Sequence, residues 1–318
     1  MTFPQGIPSV DLADFLSTDP ARKLKFVNEL GDAYENIGFV SVKNHFLSES
    51  LEENLYQQVK AFFTLPIETK EKYEIPGIAG QRGYISFGKE HAKGRTVGDL
   101  KEFWHFGQYV DDSDPIKQEY PENVSVSELP EFNAVGKEAY QLLEKTGKYM
   151  LRAIAIFLGL NEDYFDEKIH HGNSILRPIF YGPIVNDPKD AVRAAEHEDI
   201  NLITLLMGAS ADGLQVLNKQ NEWVSVTALP DHLVVNVGDM LQRLTNNRLK
   251  STTHRVINPP REMWGTPRYS IPFFLHPRSE MRLDCLDSCI TTQNPKHFEP
   301  ISAGEYLHER LQEIGLKK

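Results

Sequence analysis

Apolar residues in the first half of the chain recur at helical spacing. After Thr18-Asp19-Pro20, which offers an N-cap and a proline at the first helical position, Leu24, Val27, Leu30, Tyr34 and Ile37 mark one apolar face, and Gly38 ends the helix. Phe39-Val40-Ser41-Val42 then reads as a short strand. A second helix is expected from Ser50, with Glu53 completing a capping box and Leu51, Leu55, Val59, Phe62 and Phe63 along one face before Pro66. A third, longer helix is expected from Glu131 to Leu158, with Leu143, Met150, Leu151, Ile154 and Phe157 inward and Gly159 as terminator. Residues 76 to 130 are rich in Gly, Pro and charge and read as loops with little regular structure.

The period then changes. Leu202 to Met207, Leu214 to Leu217, Trp223 to Val226, Leu233 to Val237, Thr253 to Ile257 and Tyr269 to Leu275 are short β-rich runs separated by turn residues. No helical pattern long enough for a crossover lies between them, so an antiparallel jelly roll is preferred to parallel βαβ winding. With no internal repeat and no linker-like break in composition, the expectation is one mainly β domain with α, residues 1–318. Residues 1–170 form a mainly helical N-terminal region packed on a double-stranded β-helix core (171–280), and 281–318 form a C-terminal extension.

Charge and composition narrow the partners. The 318 residues carry 34 basic and 45 acidic side chains, a formal net charge of −11, and no basic stripe, so nucleic acid is not expected as a partner. No window approaches the roughly 20 apolar residues of a membrane span, and the N-terminus lacks the pattern of a secretory signal, so no membrane association and a cytoplasmic location are expected. Cys285 and Cys289 are the only cysteines. They could close one disulfide or supply half of a zinc site, but plain reduced thiols suit a reducing compartment best.

The chemistry concentrates around Ala195-Glu196-His197-Glu198-Asp199. His197 and Asp199 stand two apart at a strand, so both side chains face one way, about 6.6 Å apart along the backbone. A surface acidic loop is the bland alternative. His254, on another predicted strand, can supply a third ligand; two imidazoles and one carboxylate with open positions suit a non-haem Fe(II) oxygenase. Downstream, Arg268 and Ser270 also share a strand face, a pairing suited to gripping a carboxylate.

These blocks, with Ile7-Pro8-Ser9-Val10-Asp11-Leu12, Gly38-Phe39-Val40, Asn44-His45, Phe63-Thr64-Leu65-Pro66, Gly83-Tyr84, Gly213-Leu214-Gln215-Val216 and Val235-Asn236-Val237-Gly238-Asp239, occur in an order that resembles the isopenicillin N synthase-like family of 2-oxoglutarate and Fe(II)-dependent dioxygenases. The resemblance spans nearly the whole chain. It implies that His197, Asp199 and His254 ligate Fe(II), and that Arg268 and Ser270 hold the distal carboxylate of 2-oxoglutarate. It also implies that Tyr181, in Leu176-Arg177-Pro178-Ile179-Phe180-Tyr181, assists there, although Ile179 stands where the family has asparagine. Between His254 and Arg268 the chain is somewhat longer than the family's common spacing, and Pro259-Pro260-Arg261-Glu262 suggests a turn that absorbs the excess.

The implied activity is oxidation of a small-molecule substrate by O2, through hydroxylation, desaturation or ring closure, with 2-oxoglutarate converted to succinate and CO2. A cyclase that keeps the iron but omits 2-oxoglutarate, as in the family's namesake, is the second reading; a non-catalytic metal or metabolite sensor is the third. Loops around Tyr84, Phe87, Phe103 and Trp104 are expected to set substrate selectivity. His170-His171 read as diverging solvated loop residues, His105 as a core residue, and Asp239 as a turn residue. Arg177 and Arg243 are candidates for an acidic-substrate pocket.

Overall fold

The computed structural model describes residues 6 to 313 apart from 79, 90–99, 190, 209–212, 228 and 230. Among them, two sheets carry the architecture. The larger runs in the order β1 (Ser9–Asp11), β2 (Phe39–Lys43), β11 (His232–Val237), β8 (Ile203–Met207), β13 (Arg268–Leu275), β5 (Ile175–Leu176), β4 (Glu102–Gly107) and β3 (Gly83–Ile85), and β6 (Ile179–Tyr181) pairs with both β13 and β4. The smaller runs β10 (Trp223–Ser225), β9 (Leu214–Leu217), β12 (His254–Val256) and β7 (Ala194–His197). Only β1 and β2 pair in parallel; the remaining pairs are antiparallel, as the short runs without crossover helices require. This is the expected jelly roll with helices packed against it.

Helices α1 (Leu12–Phe15), α2 (Pro20–Asn36), α3 (Glu49–Thr64), α4 (Ile67–Lys70), α5 (Pro130–Phe157) and α6 (Asp166–Ile169) precede β5, α7 (Asp239–Leu244) lies between β11 and β12, and α8 (Ala303–Glu313) follows β13. Asp19 caps α2 by accepting from the Ala21 amide, with Pro20 at the first helical position. At the end of α5, Gly159 has φ +74° and the Leu160 amide donates to the Ala155 carbonyl, the closure that a terminal glycine permits. No helix of the described residues is long and apolar enough to cross a membrane.

The strand period assigns each face of the larger sheet. On β13, Ile271, Phe273 and Leu275 join the main hydrophobic cluster with the helices, whereas Arg268, Ser270, Pro272 and Phe274 turn to the opposite side and line a cavity. A second cluster of Ile7, Phe39, Leu214, Val216, Val226 and Val234 packs residues of the two sheets together. The cavity therefore lies between sheets held by apolar contacts.

Three sequence expectations give way. Residues 76 to 130 are not plain loop: they contain β3 and β4 and a 3-10 turn at Pro115–Glu119. All six residues of β4 are buried, so the strand lacks the alternation that would reveal it, and its Glu102 is matched by a buried Lys70 at 2.8 Å. The capping box from Ser50 does not form, because Ser48 is the N-cap, its Oγ accepting from the Leu51 amide at 3.3 Å. Leu24 is 56% exposed, since Phe26 and Ala33 draw the buried face of α2 away from it. Both cysteines are buried free thiols.

Candidate active site

Antiparallel pairing of β7 with β12 puts His197 directly opposite His254. Their ring centroids are 4.3 Å apart. Asp199 follows where the chain leaves β7, and its Oδ1 lies 3.8 Å from His197 Nε2 and 3.7 Å from His254 Nε2. The three ligand atoms thus lie within 4.8 Å of one another.

Hydrogen bonds set what each group can offer. His197 Nδ1 is 2.7 Å from the Ala195 carbonyl and His254 Nδ1 is 3.0 Å from the Thr252 carbonyl. A carbonyl only accepts, so each Nδ1 carries the proton and each Nε2 presents a lone pair. Asp199 Oδ2 accepts from Thr204 Oγ1 at 2.6 Å and Asn236 Nδ2 at 2.8 Å, which leaves Oδ1 turned to the imidazoles. Burial and the adjacent His254 push the His197 imidazole down to about 4, so it is neutral at physiological pH. Burial opposes ionisation of Asp199, but His254, His197 and the bonds from Asn236 and Thr204 outweigh it and hold the carboxyl below its usual range. Two imidazole nitrogens and one carboxylate form a donor set that fits Fe(II).

On β13, Arg268 stands opposite Tyr181 and Ser270 opposite Ile179. Arg268 is 1% exposed and Ser270 5%, and the Arg268 guanidinium carbon lies 5.2 Å from the Tyr181 ring centroid. The isoleucine at 179 therefore does not displace Tyr181 from Arg268. The Tyr181 hydroxyl makes no hydrogen bond among the described residues, and Tyr181, Arg268 and Ser270 line the same cavity as the His-Asp-His cluster. Its volume is about 590 Å³. The extra length between His254 and Arg268 contains the 3-10 turn Arg261–Met263 after the two prolines.

Comparison with known proteins agrees with this geometry. Residues 172–277 match the 2OG-Fe(II) oxygenase superfamily, and residues 7–128 match the N-terminal region described as that of a non-haem dioxygenase in morphine synthesis. The proline hydroxylase BuaE of Petromyces alliaceus is 32% identical over 320 residues, covering 96% of this chain and 98% of its own. The chain belongs to the 2-oxoglutarate/Fe(II)-dependent oxygenases. A solved 2OG-Fe(II) oxygenase family protein from Caulobacter crescentus resembles this oxygenase with a TM-score of 0.86 and 41% identity, over 98% of this chain and 99% of that one. A Neurospora crassa protein, solved with α-ketoglutarate (2-oxoglutarate) and thymine, resembles it with a TM-score of 0.83 and 29% identity, over 96% of both chains.

Several other side chains of the oxygenase depart from their sequence expectations. Tyr84, Phe103 and Trp104 are core residues and not cavity walls, and Phe87 is 49% exposed. His105 instead reaches the cavity, together with Arg82, Lys101, Gln108, Arg177 and Arg243. His170 and His171 do not diverge; their ring centroids are 4.0 Å apart because His171 adopts φ 51°, which folds neighbouring side chains together. Asp239 is no surface turn but the buried first residue of α7, accepting from the Tyr306 hydroxyl at 2.8 Å, and burial pushes its carboxyl up to about 7. Thr204 and Asn236 carry no role in the sequence reading. A single polar residue inside each of the apolar runs of β8 and β11 is the signal that marks them.

Proposed function

We propose that His197, Asp199 and His254 hold the iron of this oxygenase, that Arg268, Ser270 and Tyr181 hold 2-oxoglutarate, and that the organic substrate is a small molecule. The observation that carries the reading is the convergence of His197 Nε2, Asp199 Oδ1 and His254 Nε2 in one cavity with the buried Arg268. Bound iron supplies activation of O2 and oxidation of a substrate C–H bond, coupled to decarboxylation of 2-oxoglutarate to succinate. The chain's part is orientation. Thr204 and Asn236 fix the Asp199 carboxylate, and the Ala195 and Thr252 carbonyls fix the ring tautomers. Arg268 provides a fixed fork for the distal carboxylate of 2-oxoglutarate, and the Ser270 and Tyr181 hydroxyls donate beside it.

A cavity of about 590 Å³ has the size of a small-molecule site. Hydroxylation is the default outcome, and the protein named proline hydroxylase among the relatives supports it. Anaerobic titration of the protein with Fe(II) and 2-oxoglutarate, following the visible metal-to-ligand charge-transfer band, tests the reading. The band should form with wild type, be absent in His197→Ala and His254→Ala, and require far more 2-oxoglutarate in Arg268→Ala. A band of unchanged strength in either histidine variant refutes the ligand assignment.

A further inference from the structure

We propose that the end of the cavity remote from Arg268 is a carboxylate-binding subsite centred on Arg82, and that the organic substrate is accordingly a small carboxylic acid. The proposal rests on the preceding reading, in that the cavity must be the active site.

Arg82 precedes β3 and is 3% exposed, yet its partners are neutral. Nη1 donates to the Gln81 carbonyl at 2.6 Å, Nη2 donates to Gln108 Oε1, and Nε has no acceptor. The groups that act on its charge are the tyrosines Tyr140, Tyr109 and Tyr120, and no carboxylate pairs with it among the described residues. A buried cation without a counter-charge is costly, and two neutral acceptors offset only part of that cost. The fold nevertheless reserves space for this group. A Cβ on Gly107 would overlap the Arg82 guanidinium, and since Gly107 does not have positive φ, its glycine serves the close approach and not the backbone conformation.

Sheet register separates this cation from the one assigned to 2-oxoglutarate. Gly107 of β4 pairs with Ile175 of β5, which on its other side pairs with Phe274 of β13, and Arg268 lies at the other end of β13. Six residues of strand correspond to roughly 20 Å, more than a five-carbon diacid held on Arg268 can span. Between the two ends the cavity wall is apolar at Ile175, Ile179 and Phe274. The Arg177 guanidinium carbon is 4.4 Å from the Phe103 ring, and Arg177 Nε donates to His105 Nε2 at 2.6 Å. His105 Nδ1 faces the Gly80 carbonyl at 2.6 Å, so it holds the ring's proton and the imidazole is neutral. A ligand with an anionic end and a carbon skeleton matches this order of cation, apolar wall and metal-ligand cluster.

The test uses the Fe(II)- and 2-oxoglutarate-loaded protein without oxygen, titrated calorimetrically with benzoate, phenylacetate, 3-phenylpropanoate and hexanoate, each against its own carboxamide. Acids should bind roughly 30-fold or more tightly than their amides, the discrimination expected when one partner of a buried charge pair is lost. Arg82→Gln should abolish that preference, Arg82→Lys should keep part of it, and the affinity for 2-oxoglutarate should stay the same in both. Removing an unpaired buried cation should also leave the melting temperature of the ligand-free protein unchanged or raised. Should Arg82→Gln not fold, Gly107→Ala displaces the guanidinium while retaining its charge and should give the same loss of acid binding. The proposal is overturned if no acid binds, if amides bind as well as acids, if the substitutions leave acid binding intact, or if Arg82→Gln loses 2-oxoglutarate. Retention of 2-oxoglutarate binding by Arg268→Ala would instead refute the active-site reading, independently of Arg82.

Discussion

A carboxylate and two imidazoles converge only because each is tied down by its far side. Asp199 Oδ2 is occupied by Thr204 and Asn236, so Thr204→Val or Asn236→Ala should weaken Fe(II) binding by about 10- to 100-fold while all three ligands remain; metal titration checks this. Tyr181 shares the Arg268 register and lines the cavity. Tyr181→Phe keeps the ring beside the guanidinium and deletes a hydrogen bond to a charged group worth about 1.5 to 3 kcal/mol, so 2-oxoglutarate affinity should fall by roughly 10- to 150-fold with iron affinity unchanged. If the affinity stays within about twofold, Tyr181 is a strand residue and no ligand of the co-substrate. Burial pushes His276 down to about 4, below its value in an unfolded chain. The unfolded state then binds the extra proton first, so stability is full above about pH 6.5 and falls as pH drops toward 4, by up to about 3 kcal/mol from this group. Urea midpoints of the metal-free protein at pH 7 and pH 4.5 should show that loss, and His276→Asn should reduce it.

Helix and strand elements meet through small residues. A Cβ on Gly147 of α5 would overlap Leu275 and come within 3.3 Å of Leu205, so its absence lets the helix lie on the larger sheet. Gly147→Ala should therefore destabilise the fold by about 1 to 3 kcal/mol, in spite of the better helix propensity of alanine, and a lowered urea midpoint would show it. An unchanged or raised midpoint would mean the helix can shift without loss. Amphipathic helices such as α2, α3 and α5 are legible because one face is apolar and the other wet. β4 is not, since Glu102-Phe103-Trp104-His105-Phe106-Gly107 is covered on both faces and its polar residues find buried partners. Capping is similarly local but ambiguous: Ser48 and Ser50 both offer hydroxyls, and only the actual path of the chain into α3 selects Ser48.

Across the whole molecule, α8 closes one side of the cavity, contributing Tyr306, Leu307, Arg310 and Leu311, with Tyr306 anchored on Asp239. Truncation after residue 300 should admit water and raise succinate formation relative to oxidised product, a ratio measurable once a substrate is in hand; an unchanged ratio would mean that α8 does not shield the reaction. The amino-acid sequence alone determined the helices of the first half, the change to short antiparallel strands, and the pairs His197 with Asp199 and Arg268 with Ser270. Each depends on a period or a spacing of two along one strand. Only tertiary structure brought His254 opposite His197, seated Tyr181 beside Arg268 despite Ile179, and set Arg82 over Gly107 in the same cavity. Those contacts join residues far apart in the chain, and they follow from strand register and burial, which no local pattern of side chains encodes.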